Sequence, residues 1–166
     1  MSAIPASERE RLLVKCWMTH DARWYNAVAR EFGMQAANRL NQAAVRGAAK
    51  VEAQRVGRAL GIAPPKDAAG CLAAQQAMIG LLGPELLDYD AVVEDRDTCR
   101  VHVKRCFAHE NVEKAGIAAQ YDCGIFARIE GWLEGMGFEP EVDPPLKGCL
   151  KAQGKDCVHT VRLRAG

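Results

Sequence analysis

The sequence has no excess of charge of one sign and few aromatic residues. Its formal net charge is +1, from 22 basic and 21 acidic side chains, and aromatic residues make up 6% of the chain. Proteins that bind nucleic acids present a basic face, and many add aromatic platforms on which bases stack. The composition therefore argues against a dedicated nucleic-acid-binding protein.

Long apolar runs are also missing. Gly, Lys or Asp interrupts each run before it reaches the length that spans a bilayer, so we expect no membrane partner. The N-terminal stretch MSAIPASERERLLVK carries charges where a secretory signal has its apolar segment. These features predict a cytoplasmic protein, and in that compartment thiols stay reduced.

Several common cofactor and catalytic motifs are absent. The chain has no Walker A motif, no G-x-G-x-x-G, no G-x-S-x-G and no C-x-x-C-H, which argues against common nucleotide sites, a nucleophile elbow and c-type haem. It has seven cysteines but no C-x-x-C pair. An odd number of thiols in a reducing compartment indicates core packing, metal ligation or thiol chemistry before disulfides.

The first half of the chain has the pattern of long helices. Apolar residues recur at helical spacing and the segments end at Gly33, Gly61 and Gly83. The sequence is 49% hydrophobic, enough for a core without metal or disulfide staples. The predicted helices are 7–32, 35–60 and 67–82. We predict a single domain over 1–166, with a helical part at 1–84 and an α+β part at 90–166.

The second half changes to a mixed pattern. Residues 93–104 alternate with a period of two, which is typical of a strand, and Cys99 falls on the inward side with the valines. The other predicted elements are helices at 105–114 and 123–136 and a closing hairpin of strands at 146–152 and 156–164. The predicted fold class is α+β, with a helical N-terminal region packed against a small, mainly antiparallel sheet and helices.

The closing hairpin carries two cysteines and a histidine. If its turn centres on Gln153, Cys149 lies opposite Cys157, and paired residues on antiparallel strands project to one face. Alternation along the last strand puts His159 beside Cys157. The hairpin therefore predicts two sulfurs and an imidazole over one face of the sheet.

Four thiols on separate elements form a candidate metal site. Its predicted ligands are Cys99, Cys123, Cys149 and Cys157, with His159 as a neighbour or substitute ligand. Zinc is the candidate ion, because it prefers tetrahedral sulfur and nitrogen ligands. A second interpretation stays open, since a buried free cysteine also packs as a small hydrophobic residue.

Cys123 is also the candidate nucleophile. It begins a predicted helix, where free N–H groups and the helix dipole favour a thiolate. A thiolate enzyme needs a base, and the candidates are His102, His109 and His159. Cys123 and His159 are the predicted catalytic residues of such an enzyme.

The chain resembles proteins of two known kinds through four stretches. WMTHDARWYNAVAREFGMQAANRLNQAA, CRVHVKRCFAHENVEKAGI, YDCGIF and CLKAQGKDCVHTVRL resemble an uncharacterised bacterial family near the L-2-amino-thiazoline-4-carboxylic acid hydrolases. This likeness spans most of the chain. The last third also resembles the vinyl-reductase-type small-ligand domain, which carries a late cysteine, a glycine turn and a second cysteine entering the last strand.

The resemblance implies a ligand pocket between helices and a curved sheet. It also implies that the four predicted ligand cysteines sit where related patterns keep cysteines, sometimes with a metal. The hydrolases open a thiazoline ring by adding water. This chain departs from their pattern at 124–126, where Gly-Ile-Phe stands in place of more polar, acidic residues.

Three functional hypotheses follow. The first is a cytoplasmic small-molecule-binding domain with a cysteine-lined, metal-binding site. The second is a metal- or thiol-dependent hydrolase of a small cyclic amide or thiazoline-like substrate. The third is an interaction module with packed cysteines that forms a homodimer through the Ala-rich second helix.

Overall fold

Helices fill the first half of the chain and a four-stranded sheet forms in the second. A computed structural model describes residues 4–165. Its helices are α1 (Ala6–Phe32), α2 (Met34–Leu60), α3 (Ala68–Leu82), α4 (Phe107–Lys114) and α5 (Gly124–Gly135). Its strands are β1 (Leu87–Val93), β2 (Thr98–Cys106), β3 (Phe138–Asp143) and β4 (Cys157–Ala165). The α+β fold class is confirmed.

Local signals set the bounds of the long helices. Gly33, at φ 83°, separates α1 from α2, and Gly61 ends α2 in the left-handed region at φ 64°. This backbone conformation favours glycine, because a Cβ there meets the following carbonyl. Asp67 begins α3 as its N-cap, and its side chain accepts a hydrogen bond from the Gly70 N–H at 2.8 Å.

The sheet is antiparallel throughout, in the order β1-β2-β4-β3. On β2, Cys99, Val101 and Val103 are buried, as the alternating pattern predicts. They face the same side as alternate residues of β4, since Val103 pairs with Cys157. This buried face of the sheet packs against helices.

The predicted closing hairpin is wrong. Residues 146–152 do not form a strand, because the chain there turns through Gly148 (φ 74°) into a short 3-10 turn at Lys151–Gln153. The neighbour of β4 on that side is β3, which the sequence pattern does not predict. Pro140 lies within β3 and is tolerated there because β3 is an edge strand. Cys149 therefore does not pair with Cys157.

Helices α2 and α5 pack backbone to backbone. A Cβ on Gly131 would lie 2.3 Å from the Arg46 carbonyl oxygen, and one on Gly135 would lie 2.7 Å from that of Lys50. Only glycine permits this approach. Ion pairs flank the contact, among them Lys50 with Glu134 at 2.7 Å.

One hydrophobic core joins the two parts of the chain. It combines buried residues of α2, α3 and α5 with those of β2 and β4, including Ala49, Cys71, Leu133 and Val161. A second cluster lies between α1, α2 and α4 and contains Tyr25 and Tyr121. Within residues 4–165, no helix is both long and apolar enough to cross a membrane.

Candidate functional site

Four thiols and two imidazoles surround one small cavity at the end of the sheet. We call it the thiol cavity; its thiols and imidazoles are Cys106, Cys123, Cys149, Cys157, His109 and His159, and Tyr121 and Lys151 also line it. Its volume is about 20 Å³. A cavity of this size holds about one water molecule or one ion, not an organic ligand.

Each thiol reaches the cavity from a different segment. Cys106 ends β2 and is the N-cap residue of α4, and Cys157 begins β4. Cys123 is the N-cap residue of α5. Cys149 lies in the irregular segment before the 3-10 turn. An occupant that bound several of these thiols would therefore cross-link distant parts of the chain.

Side-chain hydrogen bonds hold these segments together. Gln42 on α2 donates to the carbonyl oxygens of Cys123 at 3.2 Å and Leu146 at 3.1 Å. The Asp122 carboxylate accepts from the Gly148 N–H at 2.7 Å. These contacts fix the segment that carries Cys149 against the start of α5. The sequence suggests Asp122 only as the cap of this helix, whereas Cys123 is the N-cap residue and the Asp122 carboxylate bonds to Gly148.

His159 is held by packing and by one backbone hydrogen bond. Its ring lies 3.9 Å from that of Phe126, centroid to centroid, and its Nδ1 lies 3.3 Å from the Pro144 carbonyl oxygen. Because a carbonyl only accepts, Nδ1 carries the proton and Nε2 keeps its lone pair. Burial lowers the pKa of this histidine, against smaller effects of Pro144 and Asp143. It is therefore a neutral ring with one nitrogen able to bind a metal.

Three of the cavity thiols, those of Cys106, Cys123 and Cys157, are stabilised in their protonated form. Burial raises the pKa of Cys123 to about 12 and that of Cys157 to about 11, and it raises the pKa of Cys106. The backbone N–H groups of Phe126 and Ile125 lower the pKa of Cys123, as a helix N-terminus should, but burial outweighs them. The thiolate predicted at Cys123 is therefore disfavoured unless an ion or ligand stabilises it.

Cys149 makes a close polar contact in the cavity. Its Sγ lies 3.7 Å from Nδ1 of His109, whose Nε2 lies 3.5 Å from a carboxylate oxygen of Glu113. This gives a thiol, an imidazole and a carboxylate in series. The sequence predicts His109 as a candidate base, but for Cys123 rather than for Cys149.

The structure brings three of the four predicted metal ligands together and separates the fourth. Cys99 lies opposite Val93 and Val161, further along β2, and does not line the thiol cavity. Cys99 lies instead near Cys71. Burial, and to a smaller extent the neighbouring Cys99, raises the pKa of the Cys71 thiol to about 12. Cys106 occupies the position at the cavity that was predicted for Cys99. The signal that identifies it is its i, i+3 spacing to His109 at the start of α4.

The side chains around the cavity are not arranged as a finished metal shell. Across residues 4–165, no three His, Cys, Asp or Glu side chains already form a group able to hold a metal ion. A cysteine side chain moves its sulfur by rotation about one bond. Coordination would therefore require at least a change of rotamer at several of these thiols.

A larger cavity, which we call the apolar pocket, lies against the thiol cavity. It is enclosed by α1, α2, α4 and α5 and has a volume of about 180 Å³. Ala108, Tyr121 and Ile125 line both cavities and form the wall between them. An occupant of one cavity therefore touches the same side chains as an occupant of the other.

Tyr121 is the polar part of that wall. It is buried and packs edge-on against Tyr25, with ring centroids 6.0 Å apart. Its hydroxyl oxygen accepts a hydrogen bond from the Gly124 N–H at 3.1 Å. Asn38 fixes the preceding residue, because its side chain donates to the Gln120 carbonyl at 2.6 Å.

A protein-family model matches most of the chain. It is described as "Family of unknown function (DUF6125)" and matches residues 10–155. None of the curated proteins matches the chain. The family match includes every lining residue of the apolar pocket, and every lining residue of the thiol cavity except Cys157 and His159.

Proposed function

The chain belongs to the DUF6125 family of unknown function, and we propose that it is a small-molecule-binding domain with a soft metal ion at its thiol cavity. The ligand occupies the apolar pocket, and zinc is the candidate ion. All seven cysteines are free thiols, which supports a reducing, cytoplasmic setting.

The observation that carries this proposal is the shared wall between the two cavities. The apolar pocket, at about 180 Å³, is close to the size of a cavity that binds benzene, whereas the thiol cavity holds a single ion. Two cavities of such different size suit two different occupants. Because Tyr121 contacts both, a metal-bound thiol cavity would brace the floor of the ligand pocket.

The chemistry of the lining supports a soft cation. Zinc is bound by cysteine sulfur and histidine nitrogen, and four sulfurs with two imidazoles exceed the four ligands it needs. A metal-binding histidine usually donates its other ring N–H to a carbonyl or carboxylate, as His159 does to Pro144. The raised pKa values of the thiols predict that metal binding releases protons and weakens as the pH falls.

Metal analysis of reduced protein purified without a histidine tag tests the proposal. We expect near-stoichiometric zinc in the wild type and loss of zinc to a chelator in Cys123→Ser and Cys106→Ser. Cys99→Ala is the matched control, because it removes a buried thiol outside the cavity and should retain the metal. Metal-free wild-type protein would remove the metal from the proposal, and metal loss in Cys99→Ala and Cys123→Ser but not in Cys106→Ser would restore the ligand set predicted from sequence.

A hydrolase of a small cyclic amide or thiazoline-like compound is the second candidate. The observation in its favour is the 3.7 Å contact between Cys149 and His109, since thiol hydrolases pair a cysteine with a histidine base. It ranks second because the thiol cavity is too small for such a substrate. Turnover of a thiazoline carboxylate that is lost in Cys149→Ser, but kept in Cys16→Ser, would favour it over binding alone.

A further inference from the structure

One polar side chain that lines the apolar pocket is buried and yet makes no hydrogen bond to residues 4–165. Asn41 is 8% exposed and lines the pocket. Its neighbours on α2 are both satisfied: Asn38 bonds to Tyr25 and Gln120, and Gln42 bonds to two carbonyl oxygens. Throughout the described chain, 4–165, the Asn41 amide makes no hydrogen bond. Its amide atoms are reachable from the pocket rather than sealed in the core, so an occupant can bond to them.

A second donor faces the same space. The Tyr121 hydroxyl oxygen accepts from the Gly124 N–H, but its own proton has no acceptor among the residues that the structure describes. A point one Cβ bond above Gly124 lies 2.8 Å from Nδ2 of Asn41 and 3.0 Å from the Tyr121 hydroxyl oxygen. A side chain at position 124 would collide with Asn41, so glycine lets these two donors lie close to each other at the pocket wall.

Charge in the pocket does not favour an ion. Arg128 lies on the lining, but its guanidinium bonds to Glu52 at 2.7 Å and stacks 4.7 Å over the Trp17 ring. Asp21 lines the same pocket and opposes an anion. The group that meets two donors in this setting is a neutral acceptor with two lone pairs, such as a carbonyl oxygen.

We propose that Asn41 and Tyr121 select a compact, apolar ligand that carries one carbonyl oxygen. The inference rests on the proposed function, since it names the class of ligand that the apolar pocket takes. Apolar walls supply the burial, and the pair of donors over Gly124 supplies orientation and selectivity. A ligand without the oxygen covers both donors and leaves them without a partner, and it is disfavoured for that reason.

Two probes of the same shape test the inference by isothermal titration calorimetry. Acetophenone carries the carbonyl, and α-methylstyrene replaces its C=O by C=CH₂. Apolar burial alone would favour α-methylstyrene. If the two donors select the carbonyl oxygen, the wild type should instead bind acetophenone at least about tenfold more tightly. Equal affinity, or tighter binding of α-methylstyrene, overturns the selectivity while leaving a binding pocket. Binding of neither probe overturns this inference together with the ligand-binding part of the proposed function.

Variants assign the selectivity to its residues. Asn41→Leu and Tyr121→Phe should each reduce the preference for acetophenone about fivefold to tenfold and should not weaken α-methylstyrene binding. Val45→Ala, in the same pocket, should weaken both probes alike. If Asn41→Leu does not fold, the affinity ratio of the two probes in Tyr121→Phe is the deciding measurement. A ratio equal to that of the wild type would overturn the role of the two donors.

Discussion

His159 stays neutral because the folded protein surrounds it with apolar groups. The residue is 3% exposed and burial lowers its pKa. The native state therefore resists a protonation that the unfolded chain undergoes near pH 6.5. Because its folded pKa is depressed, His159 contributes stability that is present above about pH 6.5 and is lost as the pH falls below that value.

A pH series of unfolding measures this contribution. We expect the free energy of unfolding of the wild type to fall between about pH 7.5 and about pH 5.5, and to fall less in His159→Leu, which cannot be protonated. Urea denaturation followed by circular dichroism gives both values. Val161→Ala, on the same strand and face, should lower stability by a similar amount at both pH values. A slope in His159→Leu as steep as that of the wild type would contradict this account.

Sequence patterns place the cysteines on elements but not around a cavity. Alternation correctly puts Cys99 on the inner face of β2, yet the inner face is long and Cys99 lies away from the thiol cavity. Cys106 reaches the cavity because the chain leaves the strand there and enters α4. The polarity of a helix N-terminus likewise predicts a thiolate at Cys123, but only the packed structure reveals the burial that outweighs it.

The contact between α2 and α5 depends on glycines that the sequence alone does not distinguish. Gly131 faces the Arg46 backbone, whereas Gly47, on the exposed side of α2, has no neighbouring heavy atom within 4 Å of the point that a Cβ would occupy. Both are helix-interior glycines of the same chemical type. Their substitution by alanine should therefore have opposite effects.

Gly131→Ala should destabilise the protein and Gly47→Ala should stabilise it. The first drives a methyl group into backbone, and overpacking of this kind costs about 1–3 kcal/mol or more. The second restores helix propensity and should add about 0.5–1 kcal/mol. Chemical denaturation of the two variants beside the wild type gives both differences. Equal effects of the same sign would mean that the helices are not in backbone contact.

The helices and the last strand, β4, are predictable from the sequence to within a residue or two, whereas β1 and β3 are not predicted. Long apolar periodicity with terminal glycines defines α1 and α2 directly. β3 has only six residues, with a proline and alternate charges, and it exists because β4 offers it a hydrogen-bonding edge. Residues 146–152, predicted as a strand, instead turn at Gly148 and bring Cys149 to the cavity. Such choices depend on tertiary contacts that a local pattern does not contain.

On the scale of the whole molecule, the two cavities meet at Tyr121 and are tied to one chain segment. The segment is 121–123, in which Tyr121 lines both cavities and Cys123 lines the thiol cavity. Hydrogen bonds of Gln42 and Asp122 connect it to the segment 146–149, which carries Cys149. Drawing the thiols together around an ion would restrict this segment, and a ligand in the apolar pocket presses on its other side. Each occupant therefore reduces the ordering that the other must impose.

We expect zinc and acetophenone to bind with positive coupling. Zinc-loaded protein should bind the probe about fivefold or more tightly than chelator-treated protein, within the usual range of coupling between sites. The coupling must be reciprocal, so saturating acetophenone should raise zinc affinity by the same factor. Calorimetric titrations in both directions measure the two factors. Cys123→Ser is the control, because added zinc should leave its probe affinity unchanged. Equal probe affinity with and without zinc would mean that zinc binding does not change ligand binding, and that the two cavities are independent sites.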